Sequence, residues 1–384
     1  MTLAHAPIVF VHNSLPIGGA EQLRLAMCRE LLERNVPFRV CALECPGAIG
    51  EELKSMGVPL DVLHTKQWVF DVRVWFKLHA YFKQHQPSIV QSSLFEANTH
   101  CRLIAPYTSV PVLLCEEHGL DYRRSHVHGM LDAYLQSRAD IVLTVSQAVY
   151  DYMRVSVHID RARLKVLHNC IDPVPLSYEQ VADLRISLGI AADDFVVGHV
   201  GALKEEKGHR ILFQAFKNFW KQHKQSKLLL IGDGPMDVEL RSYAQELGME
   251  QQVVFAGTRR DMQACFKMMD IFAFPSVNEA LGIALQEAMF MGLPVIASKQ
   301  GGMEELIEHE NNGLLIPLQD VHALTQAMLR LKDSARLCQT LGNAAREEIT
   351  QHYLPKQYVD QLFQLYRTMY RQKNLLMPDW LKEI

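Results

Sequence analysis

Glu279 and Glu287 stand eight residues apart within DIFAFPSVNEALGIALQEAMFMGLPVIASKQGG, residues 270–302. Two carboxylates can act as acid and base, hold hydroxyl groups, or simply face solvent as charged residues usually do. Three features favour a site. Glu279 lies close to Gly282, where a ligand can approach the backbone. The unpaired N–H groups at the start of the following helix attract anions. Glu287 sits in an otherwise apolar helical run. Were the whole stretch helical, the two Cα atoms would be roughly 12 Å apart. The carboxylate pair of a glycosidase that forms a covalent intermediate needs about 5 Å. The wider spacing suits two carboxylates at opposite ends of one elongated ligand with an anion between them. A nucleotide-diphosphate sugar has that shape.

Further candidates lie elsewhere. Residues 201–208 read GALKEEKG, a glycine turn with Lys204 and Lys207 three apart. Directly after a strand, such a turn can hold a diphosphate by charge and backbone amides; solvated surface lysines are the competing reading. His118 follows Glu116-Glu117 and precedes Gly119, and is either a structural histidine or a ligand contact. Gly18-Gly19 ahead of a helix offers exposed amides, or is a plain turn. Arg123 and Arg124 either meet an anionic acceptor or are solvated. His126 and His128 alternate without further ligands at metal spacing. Gly232-Asp233-Gly234-Pro235 lacks the third glycine of a dinucleotide fingerprint and is set aside.

The elements that must position these residues follow from period. Ile271 to Phe274 is a short apolar run closed by Pro275, as a buried parallel strand would be. Ser276 to Asn278 is a turn, Ala284 to Met291 a helix stopped by Gly292 and Pro294, and Val295 to Ala297 the next strand. Such a βαβ unit binds ligands at the C-terminal edge of its sheet. The same alternation runs along the chain. Strands are expected at Ile8–Val11, Arg39–Leu43, Ser88–Val90, Pro111–Cys115 and Ile141–Ser146, with 166–172 closing the first half. They resume at Phe195–Val200, Lys227–Ile231, Val253–Gly257 and Gly313–Pro317. Residues 73–85 carry Trp75, Phe76, Leu78, Tyr81 and Phe82 at core spacing and read as a packing helix, with a membrane-surface helix as the alternative.

The Glu-x7-Glu stretch PSVNEALGIALQEAMFMGLPVIAS, with Gly301-Gly302 after it, resembles the signature of the retaining family 4 glycosyltransferases of GT-B fold. The segment GGAE at 18–21 resembles that family's donor-facing turn, and Asn169-Cys170-Ile171-Asp172 its Asn-Gly-x-Asp segment, with Cys for Gly. Cysteine avoids positive φ. Lys204 stands where the family usually has Arg; lysine neutralises phosphate without binding it bidentately. Lys207-Gly208 matches. The resemblance implies an α/β architecture of two Rossmann-like parallel-sheet domains facing across a cleft: residues 1–172 bind acceptor and 177–360 bind the nucleotide-sugar, with a terminal helix at about 365–384 packing back on the first domain through Trp380 and Leu381. It implies that Glu279 holds donor sugar hydroxyls and Glu287 the ribose. Gly18, Gly19, Lys204, Lys207, Leu281 and Gly282 bind the diphosphate, and Thr258 and Arg259 lie near the nucleobase. His118 is next to the donor sugar, and no metal or other cofactor is required.

Composition narrows the rest. A length of 384 residues suits two or three domains, and 48% apolar with 21% charged residues describes an ordinary globular protein. A net charge of −4 gives no reason to expect nucleic acid. Eight scattered cysteines without a Cys-x-x-Cys read as reduced thiols. The start MTLAHAPIVFVHNS lacks a basic leader, and no apolar run reaches the roughly 18 residues of a membrane span. The expectation is a cytoplasmic transferase, any membrane contact being peripheral, that moves sugar from a nucleotide-diphosphate donor, UDP by default, to a lipid-linked or anionic acceptor. A nucleotide-sugar epimerase and a catalytically silent binding protein are the rivals.

Overall fold

The computed structural model describes residues 6–65, 71–120, 126–172 and 181–383. Arg123, Arg124 and the expected linker at 173–177 lie outside them. The chain forms two compact units, 1–172 with 354–384, and 173–353.

The first unit holds a seven-stranded parallel sheet: β1 (Ile8–Ser14), β2 (Phe38–Cys45), β3 (Leu60–Val62), β4 (Ile89–Ser93), β5 (Leu113–Glu117), β6 (Ile141–Thr144) and β7 (Leu164–Val166). Their order is β3-β2-β1-β4-β5-β6-β7. Strands covered on both faces read as continuous apolar runs, and β1 accordingly is buried from Ile8 to Asn13. The chain leaves β1 for β2 on one side and returns to β4 on the other, so the loops after β1 and β4 flank the point where the strand order reverses. Two expectations need correction. β5 runs on through Glu116 and Glu117, both buried, instead of ending at Cys115. The strand near 166 is Leu164–Val166, and 167–172 is irregular. Cys170 is buried and is not in the left-handed region, so the segment does not need glycine there. The helix Val72–His85 buries Val74, Leu78, Tyr81 and Phe82, as a packing helix does, whereas Trp75 is half-buried and Phe76, expected at core spacing, is exposed.

One residue at the switch point is strained. Leu94, directly after β4, has φ 71° and ψ 162°, a region essentially reserved for glycine. Its N–H bonds the Glu116 carbonyl at 3.2 Å and its own carbonyl accepts from Asn98 at 2.9 Å, which hold it in place. Such strain costs about 1–3 kcal/mol, partly offset in a glycine variant by the extra freedom of the unfolded chain. Leu94→Gly is therefore expected to stabilise the protein by about 1 kcal/mol, read as a higher urea midpoint at unchanged slope.

The second unit holds β8 (Phe195–Val200), β9 (Ser226–Ile231), β10 (Val253–Phe255), β11 (Ile271–Phe274), β12 (Val295–Ser298) and β13 (Leu314–Ile316), all parallel, in the order β10-β9-β8-β11-β12-β13. Here the order reverses between β8 and β11. The unit ends at Tyr353 rather than near 360, because the helix Pro355–Gln372 turns its whole apolar stripe to the first unit. Tyr358, Val359, Leu362, Phe363, Tyr366 and Met369 join the core built on Ile8, Phe10, Leu23 and Met27, and Trp380 and Leu381 close it.

Candidate active site

In the second unit the switch point brings the two motif loops together. Gly208, at φ 71°, ends the loop after β8; a Cβ there would lie 2.1 Å from the Pro275 carbonyl oxygen, so only glycine lets this loop lie against the end of β11. Val277 N–H bonds the Glu206 carbonyl at 2.8 Å. The result is an ion pair across the switch point, Lys207 Nζ to Glu279 Oε2 at 2.5 Å, with side chains 19% and 14% exposed. The Lys207 ammonium also sits 5.7 Å from the Phe274 ring centroid, within reach of a cation–π contact. Both charges stay within reach of solvent, and each keeps spare capacity. The ammonium has two further N–H donors and the carboxylate further lone pairs.

Lys204 is exposed and its ammonium has no partner among the described residues. The Gly232–Pro235 turn, set aside as a nucleotide fingerprint, supports its loop. Leu203 N–H bonds the Asp233 carbonyl, and Met236 N–H the Leu203 carbonyl, both at 3.0 Å.

Gly282, at φ 91°, precedes the helix Ile283–Phe290. The stretch from Glu279 to Glu287 is therefore not one helix, and the 12 Å separation that a continuous helix would impose does not apply. Leu281 is buried, and Gly302 passes so close behind that a Cβ on it would lie 2.0 Å from the Ala280 oxygen. The doubled glycine after β12 thus shapes the glutamate loop from below. The Glu287 carboxylate has no hydrogen bond or ion pair among the described residues. Burial alone raises its pKa from 4.5 to about 7, yet the side chain is only partly covered. Thr258 is exposed, whereas the Arg259 guanidinium is already clasped by Asp261, Nε to Oδ1 at 2.8 Å and Nη2 to Oδ2 at 2.5 Å.

In the first unit, Gly18 and Gly19 open the helix Gly19–Glu33 as expected, at the C-terminal end of β1. A Cβ on Gly18 would lie 2.4 Å from Glu21 Oε2, so a side chain there displaces that buried carboxylate. Burial raises the Glu21 pKa. His118 lies just past β5, its Nε2 3.3 Å from Glu116 Oε2.

Behind His118 is a buried polar network that sequence reasoning missed. Arg24, 1% exposed, reaches Glu116 Oε2 at 2.5 Å, Ser93 Oγ at 3.1 Å and His12 Nε2 at 2.8 Å, with its guanidinium 4.2 Å from the Phe10 ring centroid. Burial would raise the Glu116 pKa, but the Arg24 charge and the hydrogen bonds from His118 and Ser93 outweigh it and hold the carboxyl far below its usual range. The available signal was an arginine inside the apolar run Leu23–Met27 and a glutamate continuing a buried strand: each buried charge implies a partner.

Comparison with known proteins fits this geometry. Residues 17–174 match the family described as Glycosyltransferase Family 4, and residues 180–348 match Glycosyl transferases group 1. The chain belongs to the family 4, group 1 glycosyltransferases. It is 29% identical over 218 residues to a glycosyltransferase of uncharacterised role from Methanocaldococcus jannaschii, covering 55% of this chain and 56% of that one. It is 26% identical over 233 residues to the N-acetyl-alpha-D-glucosaminyl L-malate synthase of Bacillus anthracis, covering 61% and 60%. These matches thus span a little under two thirds of each relative's length. Among solved structures, Anabaena HepE in complex with UDP and glucose superposes with a TM-score of 0.84 at 24% identity, covering 94% of this chain and 99% of that one. The two parallel-sheet units are those of a GT-B glycosyltransferase.

Proposed function

We propose that this family 4 glycosyltransferase moves a sugar from a UDP-sugar to an acceptor hydroxyl with retention of anomeric configuration. The observation that carries the reading is the Lys207–Glu279 pair. An ammonium with spare donors beside a carboxylate with spare acceptors suits a ligand in which a phosphate adjoins sugar hydroxyls, the junction that breaks in transfer. Glu279 takes the sugar hydroxyls. Lys207, Lys204 and the amides at Leu281 and Gly282 take the diphosphate. Glu287, half-buried and without a partner among the described residues, takes the ribose hydroxyls. Thr258 borders the base; Arg259, engaged by Asp261, acts there through its position rather than a free guanidinium. His118 meets the donor sugar.

In the reaction the bond from the anomeric carbon to the diphosphate oxygen breaks with its electron pair going to the diphosphate. The acceptor oxygen bonds the anomeric carbon, and its proton leaves with the diphosphate. Charge develops on the leaving group, so cations and amides fixed around it lower the barrier most. With lysines and amides in that role no metal is required, and added EDTA is expected to leave transfer unchanged; loss of transfer that added Mg²⁺ or Mn²⁺ restores would contradict it.

The acceptor we propose is lipid-linked or anionic, in surface polysaccharide or glycolipid synthesis, with the enzyme cytoplasmic and peripheral at the inner membrane face. Among the described residues no helix is long and apolar enough to cross a membrane. The test is thermal melting against UDP-, GDP- and ADP-sugars. A ligand that binds only the native state raises the melting temperature, by the equivalent of about 2.7 kcal/mol at a hundredfold excess over Kd. A rise with the UDP series alone is expected. No rise with any series favours a silent protein, and conversion of the donor without an acceptor favours an epimerase.

A further inference from the structure

The Glu116 carboxylate is surrounded by proton donors. Arg24 Nη2 and the Ser93 hydroxyl donate to Oε2, and the Gln91 amide and the Tyr358 hydroxyl, the latter at 3.5 Å, donate to Oε1. Arg24 in turn donates to Ser93, which fixes the direction of that hydroxyl. Tyr366 from the returning helix bonds Gln91 from the other side. With these donors in place the carboxylate acts as an acceptor toward every neighbour, His118 included. The His118 Nε2 contact at 3.3 Å is therefore an N–H donated to Glu116. In the neutral form of the ring, which carries one proton, Nδ1 is then left with a lone pair. That Nδ1 is buried and has no partner among the described residues.

We propose that Glu116 is a positioning residue that locks His118 in the Nε2–H tautomer and thereby presents a bare Nδ1 acceptor to the ligand. A buried acceptor without a partner calls for a donor. The ligand group facing Nδ1 must therefore carry a proton: a neutral hydroxyl satisfies it, and a carboxylate or phosphate oxygen does not. On the reading of the site given above, that group is a hydroxyl of the donor sugar. His12 is an internal contrast. Its Nε2 accepts from Arg24 Nε at 2.8 Å, so its proton is on Nδ1. One arginine–glutamate pair thus sets opposite tautomers in two neighbouring histidines.

The test is long-range proton–nitrogen correlation NMR on the full chain labelled with ¹⁵N-histidine, without ligand. Loss of signals in His118→Gln and in His12→Gln identifies the two rings among the 17 histidines. The expected result is Nε2 protonated in His118 and Nδ1 protonated in His12. His118 protonated on Nδ1, or divided between tautomers, would overturn the proposal. In Glu116→Ala the His118 tautomers should mix, and kcat should fall by about tenfold to a hundredfold with the acceptor KM unchanged. Full kcat in a folded Glu116→Ala protein overturns it too. Glu116→Gln keeps an acceptor oxygen facing Arg24 and His118, with the Gln91 amide turned so that its oxygen accepts from the new NH2 group, so it should restore the tautomer and most of the rate. It serves also where the alanine variant does not fold, and a tautomer that stays mixed in it counts against the proposal. The expected tautomer in a protein that binds no nucleotide-sugar would remove the sugar hydroxyl from the account and leave the Glu116 lock standing.

Discussion

Lys207→Ala is expected to lower sugar transfer about a hundredfold to a thousandfold, the usual effect of removing one fixed group that stabilises a leaving-group charge. The fold should survive. Breaking a fully buried pair costs about 3–5 kcal/mol because the remaining charge is stranded. Glu279 is 14% exposed, so water can reach its carboxylate and the loss should be smaller. The two members of the pair should also differ in kind. Lys207→Ala should weaken binding of UDP itself. Glu279→Ala should leave UDP affinity nearly intact and lower transfer, since its partner is the sugar. Steady-state kinetics with a calorimetric titration of UDP separates the two, and full activity in either variant removes that residue from the site.

Glu287→Gln is expected to stabilise the unliganded protein while weakening its hold on the donor. The sign follows from the raised pKa. Burial disfavours the charged carboxylate in the folded state, moving its titration from 4.5 to about 7. The penalty is absent below pH 4.5, grows as pH rises between these values, and is fully present above pH 7. At about 1.4 kcal/mol per unit its upper bound is about 3.5 kcal/mol, and the partial solvation of the side chain reduces it. The variant should therefore melt higher than wild type at pH 8, with a smaller gap at pH 5. Donor affinity of the wild type should fall below pH 7 as the carboxylate is protonated and loses its grip on ribose hydroxyls, while the glutamine variant should bind weakly at every pH. An equal gap in melting temperature at pH 5 and pH 8 would contradict this assignment.

Local chemistry was legible in the sequence where it depended on near neighbours. The run Ile271–Phe274, Gly282 and the helix that follows it are written in period and in a residue that tolerates φ 91°. The same holds for the restart of alternation at Phe195, since buried parallel strands keep their apolar runs wherever they fall. What depended on strand order was not legible. Lys207 and Glu279 are 72 residues apart and meet only because β8 lies beside β11. Arg24 and Glu116, 92 apart, meet because only β4 separates β1 from β5, which leaves the end of β5 within reach of a long side chain on the helix that follows β1. The engagement of Arg259 by Asp261, two residues on, was within reach of sequence reasoning, as Arg-x-Asp puts both ends of an ion pair on one turn. Tyr358 could not be foreseen at Glu116, because its helix belongs to the far end of the chain and joins the first core only in the folded state.

The central claim is that the donor diphosphate is held where the loops after β8 and β11 meet. Calorimetric titration of UDP and of uridine into the wild type and into Lys207→Ala tests it most directly. The account predicts UDP binding at least about tenfold weaker in the variant, the loss of one charge-assisted hydrogen bond, with uridine binding unchanged. Equal UDP affinity in the two proteins would contradict it.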